Sequence, residues 1–143
     1  MKLRQLLDKK GHETITVDVN ETLATVFSIL AERKIGALVV VNKQKDVAGI
    51  ISERDLVRAI AKDGERVLAW PIESVMTVDV VTCTQEDTVD DVMSKMTLGR
   101  FRHMPVMDGN MLCGVISIGD VVKNRIEEIE REAADIRAYI HAT

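Results

Sequence analysis

Apolar and polar positions along this chain fall into one pattern, written twice. In "TLATVFSILAERKIGALVVVN" (22–42), Leu23, Val26, Phe27 and Leu30 recur at i, i+3, i+4 and i+7. That is the stripe of an amphipathic helix. A short apolar run at 37–41 follows, and a second at 47–51 lies beyond the polar stretch "NKQKD". Two such runs across a polar turn read as a β-hairpin. Then "TVDDVMSKMTLGRFRHMPVMD" (88–108) repeats the pattern at an offset of 66 (88 minus 22), with Val89, Val92, Met93 and Met96 on the same stripe. Upstream, "ITVDVNET" (15–22) overlays "VTCTQEDT" (81–88). Past position 42 the offset falls to 65, because "KQKDV" (43–47) is answered by the shorter "GNML" (109–112). A hairpin turn tolerates one deletion, and Asp108-Gly109 is a turn signal.

Each unit therefore predicts strand, helix, strand, hairpin, strand, helix. The first has strands near 15–17, 37–41 and 47–51 and helices near 21–34 and 54–62. The second has strands near 80–83, 103–107 and 111–116 and helices near 88–98 and from 119 onward. Trp70-Pro71 breaks any helix continuing through the connection. The chain divides into an N-terminal helical segment (1–11), repeat 1 (12–66), a linker (67–79), repeat 2 (80–126) and a helical extension (127–143). One unit alone has too few residues to bury a good core. The expected fold is α+β and sandwich-like: two β-α-β-β-α repeats packed with pseudo-two-fold symmetry, plus a short N-terminal helix over "LRQLL" (3–7) and a long C-terminal helix.

Composition narrows the classes. Of 143 residues, 46% are hydrophobic and 29% charged, which fits a globular chain. Aromatics are only 3%, so the core is aliphatic and there is no stacking platform for single-stranded nucleic acid. A net charge of -4 argues against general nucleic-acid binding. Cys83 and Cys113 sit in strand-like runs without a CxxC pair and read as reduced, buried residues. No secretory h-region opens the chain and no apolar run reaches membrane-span length, so the expected location is the cytoplasm.

The most specific signal is a doubled phrase. "GIISERDLV" (49–57) returns as "GVISIGDVV" (114–122), with Ser52 and Asp55 becoming Ser117 and Asp120. Serine is a favoured N-cap and the acidic residue three positions on completes a capping box, worth about 1 kcal/mol. The same geometry can grip a ligand: a helix N-terminus attracts anions, and a carboxylate one turn in can accept bonds from ribose hydroxyls. Spacing alone leaves both readings open.

Taken together, "RKIGALVVV…VAGIISERDLVRAI" and "GRFRHMPVM…LCGVISIGDVVK" closely resemble a tandem pair of CBS (cystathionine-beta-synthase) domains, a Bateman module, over roughly 12–126. The resemblance implies that Asp55 with Ser52, and Asp120 with Ser117, hold the ribose and phosphate of an adenine nucleotide. It implies that the adenine edge is read by backbone groups of Thr16-Val17 with Ile35-Gly36-Ala37, and of Thr82-Cys83 with Arg102-His103-Met104-Pro105. It further implies that each site joins the aspartate of one repeat to the early strand of the other. Arg54, Arg102 and His103 would then gather at the Asp55 site, favouring multi-phosphate ligands, while the Asp120 site keeps Lys34 and has Gly119 where the first motif has Arg54.

No P-loop, HExxH or GxSxG occurs, the three histidines are dispersed, and no nucleophile sits beside a base. The expected function is a non-catalytic sensor of AMP, ADP, ATP, NAD(H) or S-adenosylmethionine acting on an unknown partner protein, with no required cofactor or metal and no membrane. The competing reading is a dimeric scaffold whose motifs are only caps. Val122, Ile126, Ile129, Ala133, Ile136 and Ile140 step by 4, 3, 4, 3, 4. That heptad-like seam, with the family's habit of pairing through helical faces, predicts a homodimer.

Overall fold

A computed structural model describes residues 1–142. It is a mixed α+β fold with two three-stranded sheets and five α-helices among the described residues. After α1 (Leu3–Lys10), the first repeat comprises β1 (Thr16–Asp18), α2 (Leu23–Arg33), β2 (Ala37–Val41), β3 (Val47–Ser52) and α3 (Glu53–Asp63). The second comprises β4 (Cys83–Thr84), α4 (Val89–Gly99), β5 (His103–Asp108), β6 (Met111–Ser117) and α5 (Ile118–Ala142). Between them lie two 3-10 turns, Gly64–Ala69 and Ile72–Ser74, separated by extended Trp70 and Pro71.

The repeat seen in sequence is a repeat in register. In each sheet the first strand runs parallel to the second, across a helix, and the second pairs antiparallel with the third. Ala37 faces Ser52 as His103 faces Ser117. A bulge interrupts both hairpins at matching places, Val40/Val41 and Val106/Met107. Both first helices end in a left-handed residue, Lys34 (φ 55°) and Arg100 (φ 56°), turning the chain into the second strand. Among the described residues β4 is only two residues long. The expected strand at 80–83 is largely irregular, because this stretch spans from one repeat to the other before it reaches a partner strand.

Each repeat has its own apolar core. One joins Val17, Leu23, Val26, Leu38, Val40, Ile51 and Leu56 to Val67 and Ile72 of the connection. The other joins Val89, Val92, Met96, Met104, Val106 and Ile116 to Leu3, Leu6 and Leu7 of α1. The segment preceding each repeat thus covers the opposite repeat. Leu3 N donates to Asp87 O at 2.9 Å and Val89 N to Met1 O at 2.9 Å. Likewise Ile72 N donates to Glu21 O at 3.0 Å and Leu23 N to Trp70 O at 3.0 Å. This exchange explains the glycine that opens each doubled phrase. A Cβ on Gly49 would stand 2.7 Å from Thr77 O, and one on Gly114 would stand 2.7 Å from Leu7 Cδ2.

Candidate functional site

Ser52 and Asp55 form a complete capping box at the start of α3. Asp55 N donates to Ser52 Oγ at 3.3 Å, and Asp55 Oδ2 accepts from Ser52 N at 2.9 Å and Ser52 Oγ at 3.1 Å. At the start of α5, Asp120 N donates to Ser117 Oγ at 3.2 Å and Ser117 N to Asp120 Oδ2 at 2.9 Å. Each motif therefore performs its capping role, and each also borders a cavity between the repeats.

The first cavity encloses about 460 Å³, within the range of small-molecule sites, roughly 300–1,000 Å³. Repeat 1 contributes Ser52, Glu53, Arg54, Asp55 and Arg58. The crossing segment contributes Thr77, Asp79, Val80 and Val81, and repeat 2 contributes Gly99, Arg100, Phe101, Arg102 and His103. Arg54, Arg102 and His103 are thus brought to one cavity with Asp55. Arg54, Arg58, Arg100 and Arg102 outnumber Glu53, Asp55 and Asp79, giving the lining a cationic bias that favours an anion. Val80, Val81 and Phe101 add an apolar wall against which a flat ring can lie.

The second cavity encloses about 430 Å³ and is lined by Ser117, Asp120, Val115, Glu13, Ile15, Lys34, Ile35, Gly36 and Ala37, with Lys10 at its edge. Lys10 changes its chemistry. Its ammonium donates to Asp120 Oδ2 at 2.6 Å and also to Val115 O. Burial alone would raise the Asp120 pKa, but Lys10 and the Ser117 bonds overcome it and hold the carboxyl below its usual range. The two aspartates, alike in sequence, differ in that one already has an internal cation. Gly36 and His103 line both cavities and form the wall between them, with His103 Cε1 3.3 Å from where a Gly36 Cβ would lie. Burial lowers the His103 pKa, Lys10 and Arg102 push in the same direction, and Asp120 and Glu53 oppose them.

Six sequence-predicted residues do not line either cavity. Val17, Cys83 and Met104 are buried in the cores, and Pro105 is a buried β5 residue beside them. Thr16 and Thr82 are exposed outside the cavities. The early segment reaches each cavity one to three residues sooner than expected, through Glu13 and Ile15 and through Asp79, Val80 and Val81. Once the chain enters β1 and β4, Val17 and Cys83 turn into the two cores. Burial also pushes the Cys83 thiol up to about 12, so it stays protonated. Cys113 is half-buried rather than buried.

Among the charged cavity residues outside the expected set are Arg58, Asp79, Arg100 and Lys10. Arg100 is Lys34 shifted by the repeat offset of 66, and Arg58 lies one turn beyond Arg54. Asp79 is Glu13 shifted by the same offset. Lys10 had no such signal, because its place depends on α1 crossing to repeat 2. Among the described residues no cluster of His, Cys, Asp or Glu could hold a metal ion, and no helix is long and apolar enough to cross a membrane.

Comparison with known proteins gives this geometry a family. The chain is 44% identical to the CBS-domain containing protein ATU1752 from Agrobacterium tumefaciens, with a TM-score of 0.84 over 87% of this chain and 92% of that one. It is 25% identical to the CBS domain pair of protein MJ0100, solved in complex with 5-methylthioadenosine and S-adenosyl-L-methionine, with a TM-score of 0.76 over 86% and 98% of the two chains. It is 35% identical over 125 residues to the CBS domain-containing protein CBSX3, mitochondrial, of Arabidopsis thaliana, covering 85% of this chain and 61% of that protein. The chain thus spans about three-fifths of the length of the first curated relatives it matches, 61% and 64%. The CBS domain model matches twice, at residues 11–62 and 72–127, and the chain belongs to the CBS domain family as a tandem pair.

Proposed function

We propose that this chain is a regulatory, non-catalytic cytoplasmic module that binds an anionic adenosine-containing ligand in the Asp55 cavity and transmits its presence to a partner protein. The observation that carries the reading is the assembly around Asp55: a carboxylate at a helix N-terminus for the ribose, Arg54, Arg58, Arg100 and Arg102 for phosphates, and an apolar wall beside them in one cavity. The adenosine ligands of the MJ0100 CBS pair support the ligand class. The cationic bias favours AMP, ADP, ATP or NAD(H) over the cationic S-adenosylmethionine. The Asp120 cavity, already neutralised by Lys10, binds more weakly.

A thermal-shift panel of AMP, ATP, NADH and S-adenosylmethionine tests this. A ligand at a hundred times its Kd stabilises by roughly 2.7 kcal/mol, several degrees for a chain of this size. The phosphorylated ligands should produce the shift and Asp55→Ala should remove most of it. No shift with any of the four at millimolar concentration contradicts the reading. The completed capping boxes favour the alternative, a scaffold in which Ser-x-x-Asp is structural only. Ser52→Ala separates them: a scaffold loses stability in buffer, whereas the sensor also loses part of its ligand response.

A further inference from the structure

The stripe that docks α1 on the second repeat runs Leu3, Leu6 and Leu7, all buried, and its next position is Lys10. An ammonium therefore stands where the stripe would carry another apolar side chain, and it folds back onto repeat 2. It donates to Asp120 Oδ2 at 2.6 Å and to Val115 O, groups 110 and 105 positions away in sequence. Two of its three donors are thus engaged. Gly11 follows with φ 107°, and beyond it Glu13 and Ile15 line the same cavity. One side of the Asp120 cavity is therefore the end of α1 and the residues after it. The Asp55 cavity has no counterpart. Its crossing segment brings Thr77, Asp79, Val80 and Val81, and among the described residues no cation pairs with Asp55.

We propose that Lys10 is a built-in competitor for the Asp120 motif: its ammonium occupies the carboxylate that a ligand's ribose hydroxyls would use, and a ligand enters the Asp120 cavity only as α1 releases Asp120. This inference rests on the reading of Ser-x-x-Asp as a ribose grip. Lys10 and Asp120 both line the cavity, so the ion pair lies in the space a ligand would fill and not behind it. An ammonium already in place holds a carboxylate better than neutral hydroxyls do. The pair nevertheless can yield, because both side chains are partly exposed and solvent screens them. Coupling of this kind runs both ways. A ligand seated against Asp120 frees the last turn of α1, and a partner that draws α1 away opens the cavity. Leu3, Leu6 and Leu7 stay anchored in the core, so the part that moves is the last turn and Gly11, where a side chain would meet nothing within 4 Å. Occupancy of the Asp120 cavity thereby reaches the N-terminal segment, a route the Asp55 cavity lacks.

The test titrates adenosine, which carries a ribose but no phosphate, into the full chain by calorimetry. Asp55→Ala confines binding to the Asp120 cavity. In that background Lys10→Met and Lys10→Gln keep the stem and remove the charge. Each should bind adenosine about fivefold tighter than the parent, the worth of a partly exposed ion pair. Lys10→Arg, which keeps the cation, should bind as weakly as the parent, and Asp120→Ala added to Lys10→Met should abolish the gain. Circular dichroism checks that each variant keeps its fold, and the second neutral variant stands in should the first lose it. Unchanged or weaker binding on neutralising Lys10, an equal gain with Lys10→Arg, or a gain that survives Asp120→Ala overturns the proposal. AMP titrated into the unaltered chain reads the Asp55 site separately. If AMP binds there but neutralising Lys10 gains nothing, the role of Lys10 fails alone; if AMP does not bind, the nucleotide reading fails whatever Lys10 does.

Discussion

Asp55 and Asp120 carry the same cap but different neighbours, and their chemistry diverges there. Lys10 sits 2.6 Å from Asp120, and the pair is only partly buried, with side chains 35% and 23% exposed. Solvent screening therefore keeps its worth to about 1 kcal/mol or less. Because the folded carboxyl titrates below its unfolded value, its stabilisation is present above the ordinary carboxylate range and is lost as pH falls through the lowered folded value. Lys10→Ala should therefore destabilise the chain at neutral pH and become neutral in strong acid, as read by urea unfolding across pH. His103 has the opposite charge type. Its folded pKa is also lowered, so acidification from the ordinary histidine value, about 6.5, costs stability as the unfolded state takes up the proton first. His103→Gln should flatten the stability profile over that window. A phosphate beside the imidazole would draw its pKa back up, so affinity for AMP should rise as pH falls below 7 while that for adenosine does not.

At the scale of elements, what matters most is the exchange of leading segments between repeats. Leu7 is fully buried in the second core although it precedes the first repeat. Leu7→Ala should cost about 2–5 kcal/mol, and hydrogen exchange should show loss of protection in β5 and β6 before β2 and β3. The two crossing points differ in how they yield. A methyl on Gly49 meets a backbone carbonyl, Thr77 O, whereas one on Gly114 meets the end of the Leu7 side chain. Gly49→Ala should be the more destabilising of the two, by about 1–3 kcal/mol, in parallel denaturant melts. The helices and hairpins were legible because their apolar periods are local: the Leu23–Leu30 stripe and the Asp108-Gly109 turn depend on neighbours within one element. The crossing was not legible, since nothing within "LRQLL" distinguishes docking on its own repeat from docking on the other. The site inherited that limit. Asp55 and Arg54 stand in the doubled phrase itself, while Thr16, Val17, Thr82 and Cys83 lie just past the cavity linings, because the chain leaves each cavity before it pairs as a strand.

For the whole molecule, two copies of one unit have produced two unequal cavities around a shared Gly36–His103 wall. One is lined by four arginines and closed by the connection between repeats, the other already holds Lys10. A sensor built this way responds to ligand only if binding favours one packing of the repeats over another. The wall residues, which belong to both cavities, are where such a difference would be felt. Isothermal titration calorimetry of AMP into the intact chain, beside the Asp55→Ala and Asp120→Ala variants, tests the central claim most directly. The account predicts one dominant site per chain, abolished by Asp55→Ala and little changed by Asp120→Ala. Binding that survives Asp55→Ala, or an absence of binding at millimolar AMP, would contradict it.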